Sequence, residues 1–144
     1  MQRIEKSRIL FLDEKPIRRL LEFRSELYPV MLRVLDIVYE RNIQMVTSPV
    51  SLANLSLRAH EKGRSVLARE IKEFLTHSAQ MILRPIDAEI AAVSAEFRAK
   101  SPLSFEDSLQ LATAYVCGAD LILTENGDWK GVADFEVVTL AELL

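Results

Sequence analysis

Acidic and amide side chains cluster directly after an apolar run near the carboxyl end of the chain. The run begins at Ala119, and it is followed by Glu125, Asn126 and Asp128. Carboxylate and amide oxygens are the ligands that hard divalent cations such as Mg²⁺ prefer. The cluster is therefore either half of a metal site or the remains of one, depending on which other residues lie beside it.

Three further polar clusters lie where apolar runs end or where helical patterns begin. They occupy residues 13–15, 48–54 and 104–107. Ligands of open parallel sheets bind at the carboxyl ends of the strands. If the sheet is parallel, the four clusters should therefore meet in one cleft.

Short apolar runs alternate with segments of helical periodicity, and these elements must position the clusters. Strands are predicted at residues 8–12, 43–47, 81–83, 120–124 and 137–138. Helices are predicted at residues 16–27, 29–42, 51–58, 65–74, 87–100 and 104–118. Strands separated by helices of ten or more residues indicate crossover connections. The expected fold is α/β, with a mainly parallel sheet of about five strands flanked by helices.

The composition limits the class of protein. A chain of 144 residues, 49% of them hydrophobic, suits a single domain spanning residues 1–144. The net charge of −3 provides no overall attraction to nucleic acid. One cysteine, Cys117, excludes an internal disulfide and a cysteine-rich zinc site. No signal peptide or membrane-spanning run is visible, so a cytoplasmic location without a membrane partner is expected.

Three sequence blocks resemble the PIN-domain family. They are TSPVSLA at residues 47–53, LSFEDSLQLATA at 103–114 and GADLILT at 118–124. Their order and spacing are similar to those of single-domain bacterial PIN proteins, many of which are toxin-type (VapC-like) ribonucleases. The resemblance implies a PIN-like three-layer fold over nearly the whole chain. It also implies an endoribonuclease that depends on Mg²⁺ or Mn²⁺.

The resemblance further implies four acids around one or two divalent ions. Two of these positions hold Asp13 and Asp107, whereas the other two hold the amides Asn54 and Asn126. A further, less regular acid of the family matches Asp128. The catalytic residues implied are Asp13, Asp107 and Asp128. The same three acids are the implied metal ligands. Glu125, one residue before the aligned Asn126, is a further predicted ligand, and Lys15, Ser48 and Thr124 are expected to face the site.

The two amides change the electrostatics of the expected site. They reduce the formal charge of the four aligned positions from four negative charges to two. Two unit charges ~4 Å apart interact by about 4 kcal/mol at an effective dielectric constant near 20. Affinity for Mg²⁺ or Mn²⁺ should therefore fall, and an inactive protein needs no such cofactor. Glu125 or Glu14 would rebuild the site only if a one-residue shift still faced the cleft, against the alternation of a strand.

Lys15 is expected to take the place of the ion, with its ammonium group between Asp13 and Asp107. The alternative is that Lys15 points to solvent beside the first helix. Asp13 also suits a helix cap, and Asp107 suits a first helical turn. Basic residues on the helices are interpreted as solvated faces rather than an RNA-binding rim; they are Arg18, Arg19, Arg58, Arg64, Arg69 and Lys72.

Two functions remain open. The favoured one is a binding or regulatory module with a degenerate metal site, weak or inactive as a nuclease, whose partner is RNA or an antitoxin-like protein. The alternative is an endoribonuclease of a toxin–antitoxin system that uses a rebuilt acidic site with Mg²⁺ or Mn²⁺. The resemblance also favours a homodimer.

Overall fold

Five parallel strands form one sheet in the computed structural model, which describes residues 1–144. The strands are β1 (Ile9–Leu12), β2 (Gln44–Thr47), β3 (Met81–Leu83), β4 (Leu121–Thr124) and β5 (Val137–Thr139). Their order across the sheet is β3-β2-β1-β4-β5, and every neighbouring pair is parallel. The predicted α/β fold with a five-stranded parallel sheet is confirmed.

Seven α-helices connect and flank the strands. They are α1 (Gln2–Lys6), α2 (Glu14–Arg19), α3 (Tyr28–Glu40), α4 (Pro49–Glu61), α5 (Ser65–His77), α6 (Ala88–Lys100) and α7 (Phe105–Val116). Two short 3₁₀ helices follow, at Gly127–Gly131 and Leu140–Leu143. None of the helices has the length and apolar character needed to span a lipid bilayer.

The alternation of side chains along the strands divides the core into layers. In β1, Leu10 and Leu12 belong to a cluster of 20 buried residues that also includes residues of α1 to α5. Phe11, between them, belongs to a second cluster on the opposite face, together with Trp129 and residues of α7. Successive side chains of a strand point to opposite faces, so one apolar run supplies both cores. Trp129 is buried in this second cluster and packs the last loop against the sheet.

Two helices differ from the sequence prediction. Helix α1 was not expected, because its only buried residue is Ile4 and a single apolar position carries no periodicity. Helix α2 ends at Arg19, although helical spacing predicted a helix to Leu27. The next amides, from Leu20 to Glu22, bond to carbonyls three residues earlier. This tighter turn keeps apolar side chains pointing inward without extending the α-helix.

The strand order places the candidate site. The connections from β1 run towards β2 and β3 on one side, whereas β4 and β5 lie on the other. A parallel sheet opens a crevice at such a point of reversal. Leu12 pairs with Leu123, so the next residues, Asp13 and Thr124, lie side by side at the carboxyl ends of β1 and β4.

Candidate functional site

An acidic cleft of ≈ 620 Å³ lies at the carboxyl ends of the central strands. Six carboxylates and one ammonium group line it, a formal charge of −5 when all are ionised. All four polar clusters named in the sequence contribute to this cleft or to the layer beneath it. Its lining residues are Asp13, Glu14, Lys15, Asn54, Glu106, Asp107, Glu125, Asn126, Gly127 and Asp128.

Asp13 both caps helix α2 and faces the cleft. Its Oδ1 accepts a hydrogen bond of 2.8 Å from the Glu14 backbone N–H. Its Oδ2 accepts a hydrogen bond of 2.7 Å from the Thr124 hydroxyl, and Thr124 is fully buried. The cap interpretation and the cleft interpretation are therefore both correct, since one carboxylate does both.

Burial raises the pKa of Asp13 from 3.8 to about 6. The hydrogen bonds from Thr124 and from the Glu14 amide act in the opposite direction, and the charges of Asp107 and Glu14 add to the rise. A carboxylate in a desolvated position beside like charges holds its proton more tightly. No cation forms an ion pair with Asp13 that would offset these effects on its pKa.

Asn54 lies between two carboxylates that the family comparison did not single out as acids. Its amide N–H group donates to Glu14 at 2.8 Å and to Glu106 at 3.3 Å. Both acids line the cleft, so the position of a missing carboxylate is flanked by two others. Glu106 was missed in the sequence because it precedes Asp107 in a helical first turn, where a solvated acid is ordinary.

The remaining aligned residues lie at the starts of two helices beside the cleft. Asp107 lies in the first turn of α7, and its backbone N–H donates to the Ser104 hydroxyl at 3.0 Å. The Asn126 side-chain oxygen accepts from the Asp128 backbone N–H at 3.0 Å and so caps the following 3₁₀ helix. Because that oxygen is already bonded, Asn126 offers the cleft less acceptor capacity than a carboxylate would.

Glu125 is held by a residue that the sequence analysis assigned to a solvated face. Arg19 on α2 donates to both oxygens of Glu125, at 2.8 and 2.7 Å, and also to Glu22 at 2.7 Å. The Arg19 and Glu125 side chains are 21% and 17% exposed. The interpretation of Arg19 as a solvated residue is therefore wrong. No local pattern signals the pair, because 106 residues separate its members.

Lys15 lines the cleft but does not act as a bound cation. Its side chain is exposed, and its ammonium group forms no ion pair with Asp13, Asp107 or any other carboxylate. The expected replacement of an ion by Lys15 is wrong. Lys15 occupies the first turn of α2, where the helix directs it towards solvent rather than along the extended path that the prediction assumed.

The arrangement of these donors does not fit a divalent ion held by several acids. No three Asp, Glu, His or Cys side chains are grouped so that they could hold one ion. Glu125 is bound by a guanidinium group, and Asn54 presents N–H donors, not its oxygen, to Glu14 and Glu106. A hard cation needs converging oxygens, so Asp13, Asp107, Asp128 and Glu125 remain predicted ligands only.

A buried polar layer lies under the cleft. Ser48 was predicted to face the site; it is fully buried, caps α4 and donates to the Gln110 side chain. Gln110 lies on α7, is 2% exposed and was not singled out in the sequence. The only sequence feature that could have indicated Gln110 is that it is a polar residue within the apolar face of a helix.

Comparison with known proteins agrees with the fold. The PIN domain family profile matches residues 31–135. No curated protein sequence matches the chain significantly. Among solved structures, VapBC2 from Rickettsia felis, bound to a DNA fragment from its promoter, is similar with a TM-score of 0.74 and 13% identity. That match covers 91% of this chain and 98% of that one.

Two further solved structures are similar over comparable lengths. FitAcB from Neisseria gonorrhoeae matches with a TM-score of 0.69 and 23% identity, covering 92% of this chain and 98% of that one. VapC20 from Mycobacterium tuberculosis, described as a Sarcin-Ricin loop cleaving toxin, matches with a TM-score of 0.68 and 14% identity. The match covers 88% of this chain and 98% of that one.

Proposed function

Because the chain belongs to the PIN-domain family, we propose that it is a binding module of the toxin–antitoxin type with weak or absent nuclease activity. One observation carries this proposal: three of the six acids of the cleft are bonded to the side chains of Arg19 or Asn54. Arg19 holds Glu125, and Asn54 holds Glu14 and Glu106. These contacts occupy oxygens of the acids that would have to complete a metal site in which two of the aligned carboxylates are replaced by amides.

The charge of the cleft favours a cationic partner over RNA. Six carboxylates line it against one ammonium group. RNA binding requires that phosphate charge be neutralised, and this surface would repel phosphates. Lysine or arginine side chains of a protein partner would instead be attracted, and an antitoxin-like protein is the class of partner that we propose.

An apolar groove beside the cleft gives such a partner a second contact. The groove measures ≈ 270 Å³, and six of the seven residues lining it are hydrophobic: Ile17, Leu20, Leu21, Leu35, Ile71 and Phe74, with Glu70 at its edge. Helix α2 joins the two sites, because Glu14 and Lys15 line the cleft and Ile17 lines the groove. Two of the solved structures that share this fold are those of VapBC2 and FitAcB.

The alternative function is an endoribonuclease with Mg²⁺ or Mn²⁺, which rests on a specific observation. Glu14 and Glu106 stand on either side of Asn54, so carboxylates lie close to the position where one is missing. In this alternative Asp13, Asp107 and Asp128 are the catalytic residues, assisted by Glu125 once it is released from Arg19.

We further propose that the protein is a homodimer and that it is located in the cytoplasm. Light scattering on the purified protein would test the oligomeric state.

The decisive experiment compares metal binding and RNA cleavage by the purified protein. Calorimetry with Mn²⁺ should show weak binding, and incubation with single-stranded RNA and Mn²⁺ should give little cleavage above a protein-free control. The double variant Asp13→Asn with Asp107→Asn is the matched control for contaminating nuclease. Tight Mn²⁺ binding, together with cleavage that this variant abolishes, would establish the alternative.

The partner is tested separately. The chain should co-purify with the product of an adjacent small reading frame when the two are expressed together. The variant Leu20→Asp, which introduces a charge into the groove, should weaken the complex, whereas the same change at the exposed Leu57 should not. Equal retention by both variants would exclude the groove as the contact surface.

A further inference from the structure

A buried amide lies directly beneath the acidic cleft. Gln110 is on the inner face of α7 between Leu109 and Leu111, and it is 2% exposed. An amide brings two N–H donors and a carbonyl acceptor, and burying these groups without partners is costly. The partners of Gln110 therefore indicate what this residue does.

All of the partners lie near the carboxyl ends of β1 and β2, where the cleft opens. The Ser48 hydroxyl donates to the Gln110 carbonyl oxygen at 2.5 Å. The Gln110 N–H group donates to the Ser51 hydroxyl at 2.8 Å and approaches Oδ1 of Asp13 at 3.4 Å, a long hydrogen bond. The opposite orientation of the amide would place two acceptor oxygens against each other at Asp13, so the N–H group faces the carboxylate.

The hydrogen bonds continue from Gln110 to the backbone of β1. The Ser51 and Thr47 hydroxyls are 2.9 Å apart, and Thr47 donates to the Leu12 carbonyl at 2.8 Å. Since each hydroxyl has one proton, the order that satisfies all groups is Gln110 to Ser51, Ser51 to Thr47, and Thr47 to the carbonyl. Ser51 and Thr47 are fully buried. Gln110 is thus fixed relative to the strand that carries Asp13.

These contacts determine which part of the Asp13 carboxylate remains available. A carboxylate has about four acceptor positions. On Oδ1, the Glu14 amide and Gln110 occupy both. On Oδ2, Thr124 occupies one. One acceptor position, on Oδ2, is left without a donor from the protein.

We propose that Gln110 is a positioning residue for Asp13, which leaves this carboxylate a single open acceptor position for a cationic group in the cleft. The inference rests on the proposed function only in taking Asp13 as part of the binding cleft. It implies that Asp13 contacts one N–H group or one cation at a time, through Oδ2, and does not form the two parallel bonds of a guanidinium clamp.

The side-chain torsion of Asp13 tests the proposal without any ligand. Three-bond NMR couplings from the backbone nitrogen and carbonyl carbon to Cγ report its χ1 rotamer. In the unmodified protein one rotamer should dominate. In Gln110→Met, which keeps the length of the side chain and removes the amide, the ratio of the major to the minor rotamer should fall about fivefold, as expected for the loss of one ordinary hydrogen bond.

Two further variants separate positioning from general stability. Thr113→Val is the matched control, because Thr113 is fully buried on the same helix and donates only to the Leu109 carbonyl; it should leave the Asp13 rotamer unchanged. Ser51→Ala removes a hydrogen-bond partner of Gln110 and leaves the contacts of Asp13 intact, so a smaller fall in the same rotamer ratio is expected. If Gln110→Met does not fold, Ser51→Ala is the variant that tests the proposal.

An Asp13 side chain as fixed as in the unmodified protein, in whichever variant folds, would overturn the proposal. An equal loss of order in Thr113→Val would overturn it as well. No metal, RNA or protein partner takes part in this measurement. The Asp13 rotamer ratio therefore tests the role of Gln110 even if the proposed binding function is wrong.

Discussion

Arg19 and Glu125 form a two-bonded ion pair across the rim of the acidic cleft, with distances of 2.8 and 2.7 Å. Glu125 follows β4, whereas Arg19 ends α2, so the pair joins the two central strands through their connecting segments. The hydrogen bonds to Glu125 raise the pKa of Arg19 above its usual range. The guanidinium group provides the positive charge that was expected from Lys15, and it does so at the edge of the cleft rather than at its centre.

The variant Arg19→Gln should lower the free energy of unfolding by about 1–3 kcal/mol, because it leaves a half-buried carboxylate without its partner. It should also increase Mn²⁺ affinity, since both oxygens of Glu125 are released from Arg19 and can face an ion in the cleft. Arg18→Gln is the control, because Arg18 pairs only with Glu22. Urea denaturation and calorimetry measure the two effects; unchanged Mn²⁺ binding in Arg19→Gln would show that the released Glu125 does not bind the ion.

The double variant Asn54→Glu with Asn126→Asp should destabilise the metal-free protein by about 1–2 kcal/mol. The new carboxylate at position 54 would face Glu14 and Glu106 and repel them. In the unmodified protein these two acids accept hydrogen bonds from the Asn54 amide. Added Mn²⁺ should recover this loss and raise the melting temperature, as a ligand of the folded state does. The double variant Gln2→Glu with Asn42→Asp, two exposed changes away from the cleft, controls for the same change in net charge. Equal melting temperatures with and without Mn²⁺ would contradict the prediction.

Asp13 should make stability fall as the pH rises. Its pKa is 3.8 when unperturbed and about 6 in the folded protein, so between these values the folded state binds more protons than the unfolded state. The loss begins near pH 4, is complete above pH 6 and amounts to about 3 kcal/mol.

Asp13→Asn removes this titration. Its stability relative to the unmodified protein should therefore increase between pH 4.5 and pH 7.5, as urea denaturation at the two pH values would measure. Asp36→Asn, at an exposed carboxylate, is the control for the change in net charge. A stability difference for Asp13→Asn that is constant across this range would exclude the raised pKa.

Lys15→Ala should change the free energy of unfolding by less than about 0.5 kcal/mol, as is usual for an exposed residue without a charged partner. It should also leave Mn²⁺ binding unchanged within a factor of about two. The comparison with Arg19→Gln is direct, since both residues lie on α2. A marked loss of stability that Mn²⁺ restores would show that the Lys15 ammonium group does pair with the carboxylates of the cleft.

The elements of this fold follow largely from local sequence. Apolar runs of two to five residues, separated by amphipathic segments, predict five parallel strands because crossover connections leave few other arrangements. Helix starts also follow from local sequence, as at residue 87, where the predicted helix begins and the Asp87 side chain accepts from the Ile90 amide. The short helix α1 and the early end of α2 were not readable, because one depends on a single buried side chain and the other on tight turns that keep helical spacing.

The sequence by itself determined the parallel sheet and the residues that meet at its carboxyl edge, since strand ends and helix starts are local properties. Only the tertiary structure decided how those residues are bonded to one another. The partners of Glu125 and Asn54 lie 106 and 40 or more residues away, and Gln110 reaches Asp13 across 97 residues. Such contacts depend on the packing of α2, α4 and α7 around β1, which no local pattern of residue types encodes.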